Sequence, residues 1–209
     1  MILTIYIYKS IRKAWRLVLY DPFCYAITLL RMHGNGVSHG RFFTAGIPII
    51  HTDRNGGKIT IGDNLRMNNA NSANNIGFSV PCSLIAIDGA HLQIHDNVGM
   101  SQAALCAVGA DITIGRNTLL GGGVKIYSSD FHSLNHMDRR TWETDCENRK
   151  SAPVVIGEDC FIGAGAVILK GVAIGDRTII GAGSVVTKSI PADCIAVGNP
   201  CESIKQINV

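Results

Sequence analysis

The chain has 209 residues, enough for one well-filled core, and sets 23 glycines against only 17% charged and 6% aromatic residues. Every run of about eighteen residues is broken by charge or polar residues, so a membrane-spanning helix is not expected. The net charge of +3 is uneven: residues 1–41 carry six Lys/Arg against Asp21 alone, and the remainder carries thirteen against fifteen acids, which argues against nucleic acid as a partner.

Residues 7–19 place Ile7, Ile11, Ala14, Trp15 and Val18 on one helical face and Lys9, Ser10, Arg12, Lys13 and Arg16 on the other, the pattern of an amphipathic helix. Its charges follow its apolar residues and no small-residue cleavage site appears, so a signal peptide is not expected. Such a helix either docks on the body or a neighbouring subunit, or lies on an anionic membrane surface through residues 1–20, with Trp15 and the cations among the headgroups. Docking is the commoner use of the pattern and is the first expectation. Asp21 and Pro22 read as the N-cap and first turn of a second short helix, Phe23–Met32, with Gly34 beyond its end. Gly, Asn and alternating aliphatics then take over, which divides the chain into a helical segment over 1–40 and a second domain over 41–209.

ITIGDNL, Ile59–Leu65, is the first clear unit of a short repeat. The Asn-rich stretch Met67–Gly77 fits corners and stacked amides, because Asn tolerates left-handed backbone and bonds its own main chain. Leu92–Ser101 and Ile112–Ile126 resume the repeat. His91 and His95 have no third histidine at a matching place, so they read as turn or solvent-facing residues, not metal ligands. Between Ile126 and Val155 the period fails in a polar stretch, which predicts a loop projecting near 127–154, of a length that usually serves function.

From Ile156 the sequence reads as six hexapeptides in unbroken register: IGEDCF, IGAGAV, ILKGVA, IGDRTI, IGAGSV, VTKSIP. Ile156, Ile162, Ile168, Ile174, Ile180 and Val186 open the units, and Cys160, Ala166, Val172, Thr178, Ser184 and Ile190 hold the fifth place. Six residues make one short strand and a turn, with the aliphatic inward and the small fifth residue beside it. No unit has a core of its own, so the coils must stack to bury one continuous apolar column. Cys160 is then a packing residue and not a nucleophile. Seven cysteines, an odd number without CxxC or zinc spacing, point to a reducing compartment.

This repeat, with the closing stretch TKSIPADCIAVGNP (Thr187–Pro200), closely resembles the hexapeptide-repeat acyltransferases, and within them the sugar O-acetyltransferases of the maltose, galactoside and surface-polysaccharide type. The resemblance covers about residues 45–207. It implies an all-β left-handed parallel β-helix assembled as a homotrimer; the hand comes from the resemblance, since parallel crossovers are usually right-handed.

SSDFHSL, Ser128–Leu134, resembles the family segment that carries the catalytic histidine, with an acid two places before it; His132 and Asp130 take those places. Independently, moving an acetyl group from a thioester to a hydroxyl needs a base that is neutral near pH 7, which suits His. On a strand Asp130 would share a face with His132 and could hold its second ring nitrogen. His136 is the local competitor. The resemblance further implies acetyl-CoA as donor, contacted by Ala164, Ala182, Thr187 and Lys188, a polar acceptor contact at Ser101, direct transfer and no metal requirement. Phe161 stands where relatives commonly have Trp, keeping an aromatic wall without its N–H. Glu202 stands where relatives often carry a base, and Lys205 lies close enough in sequence to meet phosphate instead.

The expected function is acetyl-CoA-dependent O-acetylation of a sugar hydroxyl in surface-polysaccharide biosynthesis, in the cytoplasm at the inner face of the membrane. An N-acetyltransferase of a nucleotide-linked amino sugar and a non-catalytic repeat scaffold are the alternatives.

Overall fold

A computed structural model describes residues 2–70, 73–74 and 77–207. Asn71 and Asn75 of the Asn-rich stretch lie outside the described residues. Three parallel sheets wind about one axis, and the chain visits them in rotation. The first contains Ser38–His39, Lys58–Ile61, His91–Ile94, Ile112–Ile114, Val154–Ile156 and Ala173–Ile174. The second runs from Phe42–Ala45 through Leu65–Asn68, Gly99–Ser101, Leu119–Leu120, Phe161–Ile162 and Ile179–Ile180 to Cys194–Gly198, where Cys201–Gln206 turns back antiparallel. The third holds Ile49–Thr52, Ser83–Ile87, Ala104–Val108, Lys125–Tyr127, Val167–Ile168 and Val185–Val186.

The hexapeptide reading accounts for this geometry. Ile156 pairs with Ile174, Ile162 with Ile180 and Ile168 with Val186, so three successive hexapeptides make one coil, with one unit per sheet. All six leading aliphatics are buried, as are the six fifth-place residues, Cys160 among them. Each fully buried aliphatic is worth roughly 2–3 kcal/mol of transfer free energy, and each is shared between two coils. The corner after the first sheet is held by a ladder in which Asn64 donates to Asn97 at 3.0 Å, Asn97 to Asn117 at 3.1 Å and Asn117 to Asp159 at 3.0 Å. These four have φ between 55° and 61°, the left-handed backbone that Asn and Asp adopt at little cost. Stacked amides are therefore present, but on a different corner from the Asn-rich stretch. There, Asn69 is buried: its Nδ2 donates to Thr44 Oγ1 at 2.8 Å, and its Oδ1 accepts from the Cys82 amide at 2.8 Å.

Register shows where chain leaves the coil. Ile114 pairs with Ile156, much further along than one regular coil would reach, and the surplus between Tyr127 and Val154 projects as the expected loop. Ile61 pairs with Ile94, again beyond one regular coil, and there the smaller surplus leaves over the Asn-rich stretch. That excursion returns Phe78 onto the corner after the second sheet, where a Cβ on Gly123 would collide with the Phe78 ring.

The N-terminal segment corrects two expectations. Helix α1, Ile2–Trp15, passes without a break through a π-helical turn, Arg16–Tyr20, into α2, Asp21–Gly34. Asp21 is not an N-cap: its backbone is helical and its N–H donates to the Arg16 carbonyl. Pro22 explains the wide turn, since it has no N–H and its ring would clash with the carbonyl one turn back. Docking on the body is seen for α2, whereas the helix over residues 7–19, of which it was expected, keeps its apolar face open in the protomer. Cys24, Thr28 and Met32 of α2 are buried, Tyr25 stacks on Phe42 at 4.7 Å, and Arg31 donates to the Pro48 carbonyl at 2.6 Å. By contrast Ile5, Tyr8, Ile11, Trp15 and Val18 are all exposed in the protomer. No helix among the described residues is long and apolar enough to cross a membrane.

Candidate active site

The projecting loop leaves the coil after Tyr127 and re-enters at Val154, and its neck is closed by backbone pairing. Asp130 N donates to the Lys150 carbonyl at 3.0 Å, Ala152 N to the Ser128 carbonyl at 2.9 Å, and Ser129 bridges Ser151. Beyond the neck lie a 3-10 turn, Asp138–Arg140, and a short helix α3, Trp142–Asn148, whose N-cap is Thr141 accepting from the Thr144 amide at 3.4 Å. Ser133 Oγ donates to Asp138 at 2.7 Å and Arg139 to the Ser133 carbonyl at 2.7 Å, so the loop carries its own framework of polar bonds.

The carboxylate beside His132 is Asp145, not Asp130. His132 Nδ1 lies 2.6 Å from Asp145 Oδ2, and the Ser133 amide donates to Asp145 Oδ1 at 2.7 Å. Asp130 instead meets Lys170 of the next coil at 2.9 Å. The expected shared face fails because Phe131 sits at φ 64°, left-handed backbone that ends the two-residue alternation of a strand. Phe131 packs edge-on against Tyr127, with ring centroids 5.2 Å apart.

The bond to His132, then the Ser133 amide, holds the Asp145 carboxyl below the ordinary carboxylate range, despite opposition from burial. An ionised carboxylate can only accept, so Nδ1 carries the proton of this bond and Nε2 of the neutral ring keeps its lone pair. The His132 side chain is 64% exposed and that of Asp145 9%. The pair therefore has the form of an oriented base: one nitrogen fixed from below, the other presented outward.

The other expected residues fall on separate features. Ser101 and Phe161 line one groove of about 290 Å³ on the outer face of the second sheet, with Arg66 and Asn68. Asn68 Nδ2 donates to Ser101 Oγ at 3.0 Å, leaving the hydroxyl proton free to turn. Ala164 and Ala182 occupy the corner between the second and third sheets in successive coils. A Cβ on Gly163 would come within 2.5 Å of the Ala182 backbone nitrogen, whereas one on Gly183 meets nothing within 4 Å, so the outer lip is open. Small residues there leave main chain accessible to an extended ligand, which suits a pantetheine arm. Thr187 and Lys188 follow Val186 at the opposite edge of the third sheet, on the corner from which the loop projects in an earlier coil. Lys205 lies on the antiparallel final strand opposite Ile195. His132 is not among the residues that line the groove holding Ser101 and Phe161.

Among the described residues there is no cluster of three His, Cys, Asp or Glu able to hold a metal ion. His91 Nε2 is 2.8 Å from Thr60 Oγ1 on the first sheet.

The six-repeat model of the bacterial transferase hexapeptide family matches residues 153–188. The Escherichia coli K12 protein WbbJ, named for lipopolysaccharide O-acetyl transfer, is 30% identical over 158 residues, covering 74% of this chain and 75% of WbbJ. The chain belongs to the hexapeptide-repeat transferases. A protein of Dictyostelium discoideum named as an acetyltransferase is 39% identical over 121 residues, which span 58% of this chain and 60% of that relative. Among solved structures, a hexapeptide-repeat acetyltransferase from Vibrio cholerae, complexed with acetyl coenzyme A, is 25% identical, covers 96% of this chain and 85% of its own, and superposes with a TM-score of 0.53. The coil is left-handed, as in its structural neighbours.

Proposed function

We propose that this protein transfers an acetyl group from acetyl-CoA to a hydroxyl of a sugar, with His132 as general base. One observation carries the reading: His132 is bonded through Nδ1 to the buried, ionised Asp145 and offers Nε2 outward from a loop rooted in the repeat. The Vibrio cholerae complex supports the donor, and WbbJ supports a sugar acceptor in surface-polysaccharide synthesis.

His132 Nε2 takes the acceptor hydroxyl proton as the oxygen adds to the thioester carbonyl. Asp145 stabilises the resulting imidazolium and keeps the ring in place. Collapse of the tetrahedral intermediate forms the ester and breaks the C–S bond, and the imidazolium returns its proton to the departing thiolate. Backbone N–H groups along the coil supply the oxyanion with donors. Ala164 and Ala182 give the donor a close path along main chain, Thr187, Lys188 and Lys205 serve its polar end, and Ser101 and Phe161 hold the acceptor.

These groups sit on different edges of one protomer, and a homotrimer unites the loop of one copy with the groove of the next. Sedimentation should give three chains; a stable monomer would remove that arrangement. Residues 1–20, with no acid, four cations and an exposed apolar face, rest on the anionic inner surface of the cytoplasmic membrane. Their deletion should release the protein from anionic vesicles. The central test is release of coenzyme A over a panel of sugar acceptors, comparing wild type with His132→Ala. Acceptor-dependent turnover that falls about a hundredfold or more supports the base, and turnover that survives sinks it.

A further inference from the structure

Three grooves follow one another between the N-terminal rod and Ser101. The first, about 410 Å³, is lined by Lys9, Arg12, Lys13 and Arg16 of the rod and by Phe43. The second, about 330 Å³, begins at Phe43 and is lined by Arg41 and Arg66. The third, about 290 Å³, begins at Arg66 and ends at Asn68, Ser101 and Phe161. Phe43 lines the first two and Arg66 the last two, so each groove shares a wall with the next.

Sequence spacing builds this path. Lys9, Arg12, Lys13 and Arg16 fall at i, i+3, i+4 and i+7, one stripe of a helix. Phe43 pairs with Arg66 and Arg66 with Gly99 on adjacent coils, so the path crosses the outer face of the second sheet. Two acids belong to it: Asp21, which lines the first groove and lies 3.7 Å from Arg16, and Asp63, 3.7 Å from Arg41. Arg66, Lys9, Arg12 and Lys13 have no acid within ion-pair distance among the described residues. Unneutralised cations converging on an acceptor groove are the arrangement that recognises phosphate, Arg by its planar fork above all.

Resting on the sugar-acetylation reading, we propose that the acceptor sugar is presented on a phosphate or diphosphate, which Arg66 and Arg41 bind while the sugar lies against Asn68 and Ser101. The dimension suits this: Arg66 and Asn68 are two residues apart on one strand, roughly 7 Å, about the breadth of a sugar ring between its anomeric phosphate and a hydroxyl across the ring. The far end of the path, at the rod's basic stripe, receives the group carried beyond the diphosphate, either a nucleoside or a polyprenyl chain in a bilayer.

The test has three arms on the full-length protein. Pyrophosphate is titrated calorimetrically with coenzyme A saturating, so that the donor's own phosphate contacts are occupied; saturable binding is expected, weakened tenfold or more by Arg66→Glu. Turnover is then compared between matched methyl glycosides, sugar 1-phosphates and nucleotide-diphosphate sugars. The charged acceptors should have at least a tenfold higher kcat/KM, an advantage that Arg66→Glu removes through KM. Finally, Lys9→Glu with Arg12→Glu and Lys13→Glu should reduce turnover of polyprenyl-diphosphate sugars in vesicles alone if the source is lipid-linked, and turnover of nucleotide-linked sugars if it is not. Wild-type protein that fails to bind pyrophosphate, or that acetylates neutral glycosides as well as charged ones, overturns the inference while leaving sugar acetylation intact. Pyrophosphate binding that depends on Arg66 without acetylation of any sugar sinks the acetylation reading and leaves the anion path standing.

Discussion

Asp145→Asn tests the assignment of the second site residue. The side chain makes two contacts, accepting from His132 Nδ1 at 2.6 Å and from the Ser133 amide at 2.7 Å. Asn can keep one of them. If its oxygen stays on the Ser133 amide, its NH₂ faces Nδ1, which must then accept, and the proton moves to Nε2. The base would present an N–H where a lone pair is needed. Shape and volume are nearly unchanged, so the loop should fold and acetyl-CoA should bind as before. Loss of the correct tautomer and of the imidazolium's counter-charge should lower kcat by about a hundredfold to ten-thousandfold. Asp130→Asn should cost far less, because it breaks only the ion pair with Lys170. Combined with His132→Ala, Asp145→Asn should add almost nothing, since the two act as a unit. The assay is coenzyme A release, with thermal melting as the control for folding. Full activity in Asp145→Asn, or a larger loss in Asp130→Asn, would refute the reasoning.

Ile162→Ala removes a fully buried side chain shared by two coils and should cost about 2–5 kcal/mol, read as a lower midpoint in denaturant. Gly163→Ala would bring a Cβ to 2.5 Å from the Ala182 nitrogen and 2.7 Å from the Gly181 carbonyl carbon, both backbone, so the coils must part. Gly183→Ala meets no neighbour within 4 Å but holds a φ of +69°, and should cost only about 1–2 kcal/mol; equal losses at the two glycines would contradict the stacking account. The carboxyl of Asp145 is depressed by the bond from His132, then by the Ser133 amide. Its grip on the loop should therefore be complete above the ordinary carboxylate value near 3.9 and fade as pH falls through the lower folded value. Hydrogen exchange at the Ser133 amide should report this, and Asp145→Asn should remove the dependence.

The coil was legible because its information is local and repeated. The leading aliphatic and the fifth residue of each hexapeptide face the axis, and Ile156 to Ile190 repeat this unit by unit, with the fifth place small except at Val172 and Ile190. The loop was legible as a failure of the same rule. Its contents were not, because the partner of His132 depends on how a short helix turns back, and Asp138, Glu143, Asp145 and Glu147 all lie within reach in sequence. Thr141 as an N-cap was the one signal that a helix opened there, and it does not say which acid faces inward. Asp130 rested on the resemblance and on strand geometry, and the left-handed backbone of Phe131 breaks the second. At the N-terminus Asp21-Pro22 is a start signal by local chemistry, and the chain overrides it with a π-helical turn that bypasses the missing proline N–H.

A strictly periodic coil repeats each environment once per turn, so every inward or corner position is nearly equivalent to the one above it. Such a surface can bind an extended ligand, as the small residues at Ala164 and Ala182 allow, but it cannot by itself make one histidine different from its neighbours. A catalytic base needs an environment that occurs once. The segment inserted between Tyr127 and Val154 supplies it: it leaves the coil through a hydrogen-bonded neck, carries its own framework of Ser133, Asp138 and Arg139, and buries a single carboxylate under one ring. The shorter excursion over the Asn-rich stretch does the complementary thing at another corner, laying Phe78 over Gly123 and ending the equivalence of that edge. On the proposed mechanism binding is delegated to the repeat and chemistry to its interruptions, and the two should be separable by mutation. Substitutions in the loop should change kcat with little effect on melting, and substitutions in the column should do the reverse.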